Sequence, residues 1–259
     1  MELGLKGKRA LVTGSSAGLG EAAALALARE GADVTINGRD PERLAKAGQH
    51  IYEATGVKPN LALGDVSISA DVQKIVQEAG GIDILVSNAA GPPPGDFIDH
   101  PGERWLEAAD LVLYSAINLT RAVLEGMQRR RWGRLIYITS VGVLQPIDNL
   151  ILSNTFRSGV TAFCKTISNN YAQYGITANC VCPGYTATER LRDLAASMGE
   201  SSGKTPDDIM RGIAMSIPAR RIGKPEELAA LIAFLASDKA AYITGASIPV
   251  DGGFVKALI

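Results

Sequence analysis

The chain contains few of the residues that hold metal ions or form disulfide bonds. Its 259 residues include three cysteines, Cys164, Cys180 and Cys182, and two histidines, His50 and His100. Zinc sites need these residue types at short, clustered spacings, and no such pattern occurs here. Cys180 and Cys182 alternate along a segment with strand character, so we expect them to pack as small apolar side chains. The composition predicts no metal site and a reducing, cytoplasmic location.

Charge of one sign and long apolar runs are also absent. The net charge is −1, so there is no general electrostatic attraction to nucleic acid or to an anionic membrane. No apolar run approaches the roughly 20 residues of a membrane span, and the first residues do not resemble a signal peptide. A basic cluster at residues 129–134 lies where a helix is predicted to end, which favours a solvated helix terminus over a nucleic-acid site. The expected partner is a small-molecule substrate.

The chain is otherwise rich in apolar residues, which make up 46% of it. That content is sufficient for one α/β domain covering residues 1–259. Predicted helices include residues 21–30, 103–129 and 157–174. Predicted strands cover residues 9–12, 32–37, 58–63, 82–86, 133–139, 177–181 and 246–250. Their alternation predicts a Rossmann-type, doubly wound parallel sheet with helices on both faces.

A glycine-rich turn separates the first strand from the first helix. Its sequence is Thr13-Gly14-Ser15-Ser16-Ala17-Gly18-Leu19-Gly20. Glycines let a backbone approach a pyrophosphate closely, and the free N–H groups of a helix N-terminus favour its negative charge. The spacing is Gly-x-x-x-Gly-x-Gly instead of the commoner Gly-x-Gly-x-x-Gly. With a strand before it and a helix after it, the turn predicts dinucleotide binding rather than a plain loop.

Five residues that are distant in sequence follow predicted strand ends. They are Gly14, Asp65, Asn88, Ser140 and Pro183. Ligands of doubly wound sheets bind beyond the carboxyl ends of the strands. We therefore expect these five residues to line one site.

Several further motifs, in order along nearly the whole chain, resemble the short-chain dehydrogenase/reductase family, in particular its 3-oxoacyl-carrier-protein reductase-like branch. Ser87-Asn88-Ala89-Ala90 is similar to the family's Asn-Asn-Ala-Gly motif, and Pro183-Gly184-Tyr185-Thr186-Ala187-Thr188 resembles the loop that covers the nicotinamide. Asp65-Val66 resembles the pair that contacts the adenine ring. The resemblance implies cofactor contacts at Gly14, Ser15, Ser16, Gly18, Leu19, Gly20, Asp65, Val66, Asn88, Ala89, Ala90, Pro183, Gly184, Thr186 and Thr188.

The end of the second strand bears on the choice of cofactor. Family members that prefer NAD usually have an acidic residue there, but this chain has Gly38 followed by Arg39. A neutral residue and a guanidinium suit the 2′-phosphate of NADP through charge-assisted hydrogen bonds. The alternative is that Arg39 is a solvated charge ahead of the helix that begins near Asp40. The pattern favours NADP over NAD.

The catalytic segment departs from the family pattern. In the family, a serine is followed thirteen residues later by a tyrosine and four residues after that by a lysine. Ser140 is in place, but Ser153 and Arg157 occupy the tyrosine and lysine positions. Val112 occupies the position of a fourth contributor, an asparagine. The resemblance therefore implies an incomplete catalytic tetrad: Ser140 is retained, and Ser153 and Arg157 are the candidate catalytic residues at the tyrosine and lysine positions.

The substitutions have chemical consequences. A serine hydroxyl is shorter and far less acidic than a phenol, so it cannot replace the tyrosine as a proton donor. Arg157 retains a positive charge that suits a ribose hydroxyl, but a guanidinium does not release protons. Tyr185, Tyr114 and Asp148 are alternative donors, and each also has a purely structural interpretation.

Three hypotheses follow. The first is an NADP(H)-dependent oxidoreductase for a carbonyl or alcohol, such as a 3-oxoacyl thioester, with an atypical proton route. The second is a nucleotide-binding protein with a sensing or assembly role, and the third is hydration or elimination in the same pocket. The resemblance also implies a substrate lid at about residues 189–217. It further implies a homo-oligomer, a dimer or tetramer, that pairs through the two long helices.

Overall fold

The computed structural model describes residues 2–258, without the side chains of residues 200 and 201. Its centre is a sheet of seven strands in the order β3-β2-β1-β4-β5-β6-β7. All neighbouring strands are parallel. The strands are β1 (Arg9–Val12), β2 (Asp33–Gly38), β3 (Asn60–Leu63), β4 (Ile84–Ser87), β5 (Gly133–Ile138), β6 (Ile176–Pro183) and β7 (Ser247–Val250).

Helices cover both faces of the sheet, as the sequence predicts. Helices α1, α2 and α9 lie on one face, while α3, α5 and α6 lie on the other. Each face has its own buried apolar cluster. No helix in residues 2–258 is long and apolar enough to cross a membrane. The helices are α1 (Gly18–Arg29), α2 (Pro41–Thr55), α3 (Ser69–Ala79), α4 (Gly102–Ala108), α5 (Ser115–Arg130), α6 (Ile151–Tyr171), α7 (Glu189–Ser202), α8 (Pro206–Ser216) and α9 (Pro225–Ala236).

The strand order reverses beside β1. The chain first adds β2 and β3 on one side of β1, and then β4 to β7 on the other side. The connections after β1 and β4 therefore diverge and leave a crevice at the carboxyl end of the sheet. This crevice is where a ligand is expected.

Two predicted helices differ from those in the structure. Helix α6 begins at Ile151 instead of residue 157, so Ser153 and Arg157 lie in its first two turns. No side chain caps this N-terminus, because Leu150 precedes it, and so the sequence lacked a start signal. The predicted helix at 103–129 is α4 and α5 joined by a π-helical turn at Ala109–Tyr114.

Helix α2 has the predicted start. The Asp40 carboxylate accepts hydrogen bonds from the backbone N–H groups of Glu42 and Arg43, at 2.9 Å and 3.0 Å. Pro41 occupies the first helical position, where its missing N–H has no cost. This cap fixes the first turn of α2 at the edge of the crevice, and it carries Arg43 there.

Candidate functional site

A cavity of about 770 Å³ lies at the carboxyl ends of the strands. It extends from the glycine-rich turn, past Asp65, to Ser140 and Arg157. This volume is within the roughly 300–1,000 Å³ typical of ligand sites. The five strand-end residues that the sequence grouped together, Gly14, Asp65, Asn88, Ser140 and Pro183, all line it.

Two glycines of the turn have conformations that other residues rarely adopt. Gly14 and Gly18 have φ angles of +55° and +62°. A Cβ atom on Gly14 would lie 2.8 Å from the Asn88 carbonyl oxygen, and one on Gly18 would lie 3.4 Å from Thr188. The turn therefore needs glycine at Gly14 for space as well as for backbone geometry.

Hydrogen bonds hold the turn against the end of β4. The Thr13 hydroxyl donates to the Asn88 carbonyl at 2.8 Å and accepts from the Asn88 N–H at 3.0 Å. The Asn88 side-chain amide donates to the Gly14 carbonyl at 2.9 Å. Both walls of the crevice are thus fixed relative to each other without a ligand.

Two predicted cofactor residues do not line the cavity. The buried Ser15 hydroxyl donates to Val12 O at 2.6 Å and accepts from the Asn37 N–H at 2.9 Å. Gly20 faces the Gly14 carbonyl, which a Cβ would approach to 2.3 Å. Both residues contact the protein on the side of the turn that faces away from the cavity. The other predicted residues line the cavity, namely Gly14, Ser16, Gly18, Leu19, Arg39, Asp65, Val66, Asn88, Ala89, Ala90, Pro183, Gly184, Thr186 and Thr188.

At the β2 end of the cavity, Arg39 is ion-paired. Its Nη1 lies 3.2 Å from Asp65 Oδ2. Burial opposes ionisation of Asp65, but hydrogen bonds from Ser67 and Arg39 outweigh it and lower its pKa. A side chain at Gly38 would be crowded, because its Cβ would lie 3.0 Å from Ser16 Cβ.

Arg43 also lines this end of the cavity, and the sequence reasoning missed it. Its guanidinium pairs with Glu189 at the start of α7. The sequence did contain a signal for Arg43: it lies three residues after the Asp40 cap, in the first turn of the helix that begins beside the cavity. The ion pair joins α2 to the segment predicted to be a lid, and that segment comprises the two helices α7 and α8.

At the opposite end, Arg157 contacts Ser153 and β5. Its Nε donates to Ser153 Oγ at 3.2 Å, and its Nη1 donates to the Ile138 carbonyl at 2.9 Å. Burial, and then repulsion from Arg190, lower the pKa of Arg157 to about 10, so it remains charged at neutral pH. Ser140 Oγ accepts from the Gly142 N–H at 3.0 Å. The three predicted catalytic residues line the same cavity.

Among the alternative proton donors, Tyr185 lines the cavity. Its ring packs edge-on against Phe254 at a centroid distance of 5.3 Å. Burial, and then the charge of Asp148, raise the pKa of Tyr185, so its phenol keeps its proton at neutral pH. Tyr114 and Asp148 are not among the lining residues, and Val112 is buried in the π-helical turn.

Other polar features of the sequence have structural partners. In the basic cluster, Arg130 pairs with Asp83 at 3.0 Å, and Arg134, 2% exposed, pairs with Asp238 at 3.3 Å. The cluster therefore supports packing at the end of α5. The three cysteines are buried, and residues 2–258 contain no group of three metal-ligand side chains.

Comparisons with known proteins cover nearly the whole chain. A family model described as enoyl-(acyl carrier protein) reductase matches residues 14–255. D-beta-hydroxybutyrate dehydrogenase of Cupriavidus necator is 33% identical and covers 97% of this chain and 99% of its own. The 3-oxoacyl-[acyl-carrier-protein] reductase FabG of Escherichia coli is 36% identical and covers 97% and 98%. L-sorbose reductase from Gluconobacter frateurii, solved with NADPH and L-sorbose, has a TM-score of 0.95 at 31% identity, with 100% of both chains covered.

Proposed function

The chain belongs to the short-chain dehydrogenase/reductase family, and we propose that it is an NADP(H)-dependent oxidoreductase of a carbonyl or alcohol substrate. The observation that carries the proposal is the single cavity that joins the glycine-rich turn to Ser140 and Arg157. The relatives support it, because they are named as a 3-oxoacyl-[acyl-carrier-protein] reductase and a D-beta-hydroxybutyrate dehydrogenase.

The residues present fit a nicotinamide dinucleotide. Gly14, Ser16 and Gly18 of the turn line the cavity with small side chains or none, and the N–H groups of the turn precede α1. When bound, the nicotinamide would supply the hydride. Arg157 would hold a ribose hydroxyl, and Ser140 would orient the substrate oxygen. Arg39 and Arg43 would contact the 2′-phosphate.

The site has no efficient proton donor at the family's tyrosine position. Ser153 and Arg157 bond to each other, and neither is a useful acid at neutral pH. The proton would then come from water or from Tyr185, whose phenol lines the cavity. We propose that turnover is slow for this reason.

A nucleotide cavity without an efficient proton donor also favours a second candidate function. A protein with an intact nucleotide site and no efficient proton donor suits a sensing or assembly role. Turnover by variants with a restored tyrosine and lysine separates the two candidates, as argued below.

Assembly as a homo-oligomer is part of the proposal. Phe97, Leu106 and Tyr114, near α4 and the π-helical turn, are 66%, 69% and 52% exposed. Apolar side chains at such exposure fit a subunit contact. Light scattering of the purified protein should give the mass of a dimer or tetramer.

The first test is a titration of purified protein with NADPH and NADH, followed by nicotinamide fluorescence and calorimetry. Saturable NADPH binding supports the oxidoreductase assignment and justifies a screen of carbonyl substrates. Absence of binding by either nucleotide would contradict both candidate functions.

The choice of cofactor has its own test. We expect NADPH to bind more tightly than NADH, and Arg39→Ala to weaken NADPH by about 10- to 100-fold, because a hydrogen bond to a charged group contributes about 1.5–3 kcal/mol. NADH affinity should change little, because the 2′-phosphate is the only difference between the nucleotides. Arg192→Ala is a matched control, since Arg192 is exposed and does not line the cavity. Equal affinities for both nucleotides in the unmodified protein would exclude the preference.

A further inference from the structure

Two arginine side chains from different helices line the cavity beside the ends of β4 and β5. Arg157 of α6 donates to the carbonyl of Ile138, the last residue of β5. Arg190 of α7 donates from Nη1 to the Gly91 carbonyl at 2.9 Å and from Nη2 to the Pro92 carbonyl at 3.1 Å. Because β4 and β5 are adjacent, the loop that holds Arg190 follows the neighbouring strand. Both guanidiniums line the same cavity.

The position of Arg190 is closely defined. A Cβ atom on Gly91 would lie 2.3 Å from its Nη2 and 2.5 Å from its Cζ. The guanidinium therefore rests directly on the Gly91 backbone, and only glycine leaves room for it. Its two hydrogen bonds hold it there through neutral carbonyl acceptors.

These two cations differ from the other arginines of the cavity in their partners. Arg39 is paired with Asp65, and Arg43 is paired with Glu189. In the part of the chain that the structure describes, neither Arg157 nor Arg190 has a carboxylate within 4.0 Å.

The charged groups around the pair leave it with an excess of positive charge. Burial lowers the pKa of Arg190, and the charge of Asp193 on the same helix offsets only part of this shift. Burial, and then the positive charge of Arg190, lower the pKa of Arg157. Arg157 is half-buried and Arg190 is exposed, and their two positive charges on one cavity favour an anionic ligand. A ligand carboxylate would supply that anion and bridge both guanidiniums.

We propose that Arg157 and Arg190 bind the carboxylate of a small oxo or hydroxy acid, which makes such acids the substrate class of this cavity. The assignment of these acids as substrates rests on the proposed oxidoreductase function, whereas their binding does not.

The test compares keto acids with their methyl esters, which differ in charge at the same carbon skeleton. We would titrate 2-oxopentanoate, 4-oxopentanoate and both methyl esters into the protein by calorimetry, with and without NADPH. At least one acid should bind about 10-fold or more tightly than its ester, because a hydrogen bond to a charged group contributes about 1.5–3 kcal/mol. Inorganic phosphate is titrated as well, and binding tighter than that of both acids would reassign the pair to a phosphoryl ligand and overturn the proposal.

Variants connect the preference to the arginine pair. Arg190→Gln should abolish the preference for the acid, and Arg190→Lys should retain part of it. Gly91→Ala should also abolish it, because the added methyl displaces the guanidinium while its charge remains. Arg192→Gln, at an exposed arginine of the same helix, should leave the preference unchanged. Thermal unfolding of each variant identifies any loss of folding, and Gly91→Ala then provides an independent test.

The outcomes separate this proposal from the proposed function. NADPH binding without a preference for either acid overturns the carboxylate site and leaves the oxidoreductase assignment intact. An acid preference without NADPH binding supports the carboxylate site and contradicts the oxidoreductase assignment. A preference that survives both Arg190→Gln and Gly91→Ala would also overturn the carboxylate site.

Discussion

The double variant Ser153→Tyr, Arg157→Lys is expected to reduce ketones with NADPH at least about 100-fold faster than the unmodified protein, since a positioned general acid contributes about 100- to 10,000-fold. The reason is that Ser140 and the glycine-rich turn already line the cavity, although Val112 still occupies the position of the family's asparagine. Ser153 is 8% exposed and lines the cavity, so a phenol attached there would extend into it. A lysine four residues later lies on the same face of α6, and its charge would lower the pKa of that phenol.

Both substitutions are needed for this gain. In the structure, the Arg157 Nε donates to Ser153 Oγ, so a tyrosine alone would meet the guanidinium. We therefore expect Ser153→Tyr alone to give only a small part of the effect, and Arg157→Lys alone to give none. The measurement is initial velocity of NADPH oxidation with a panel of ketones, compared as kcat/KM.

A matched control is Ser158→Tyr. Ser158 is exposed on the same helix, where its hydroxyl donates to the Asn154 carbonyl at 2.7 Å. A tyrosine there adds the same group to α6 outside the cavity and should not change the rate. If the double variant binds NADPH but shows no gain, the pocket is not otherwise competent, and the nucleotide-binding role is favoured over catalysis.

The second large effect is expected from Gly14→Ala. The added Cβ would lie 2.8 Å from the Asn88 carbonyl, and the φ of +55° disfavours any side chain. Both walls of the crevice would have to separate, which removes backbone N–H groups from the expected pyrophosphate position. We expect NADPH affinity to fall by about 100-fold or more, because two or more hydrogen bonds to charged oxygens would be lost.

Gly56→Ala is the control for Gly14→Ala, because it separates steric crowding from the free-energy cost of the left-handed backbone conformation. Gly56 ends α2 with a φ of +74°, and nothing lies within 4 Å of its Cβ position. The left-handed conformation costs an alanine about 1–2 kcal/mol in both variants. Gly56→Ala should therefore lower the melting temperature without weakening NADPH binding. Unchanged NADPH affinity in Gly14→Ala would mean that the turn does not hold the nucleotide.

Local sequence determined most of the fold. Apolar runs such as β1 and the alternation with helices predict a doubly wound sheet, because each element must bury its apolar face against a neighbour. The Asp40-Pro41 start of α2 is also local, since a cap involves only the first helical turn. The start of α6 was not predicted for the converse reason. Leu150 has no side chain that can cap α6, so only the tertiary packing of this helix defines where it begins.

The sequence also located the site, because parallel strands present their carboxyl ends at one edge. It assigned Gly14, Asn88 and Ser140 to one cavity without any contact information. It did not distinguish the residues that line the cavity from those behind it. Ser15 and Gly20 lie within the glycine-rich turn, but their side of the backbone depends on how the turn folds over β2.

Only the tertiary structure determined which partners the charged side chains contact. Arg43 and Glu189 are far apart in sequence, as are Arg190 and the Gly91 carbonyl. Such pairs depend on the relative placement of whole helices and loops, which periodicity and capping do not encode. The sequence alone therefore determined the fold and the position of the glycine-rich turn. The packing of α7 against the cavity determined that Arg43 is paired with Glu189 and that Arg190 contacts the Gly91 and Pro92 carbonyls.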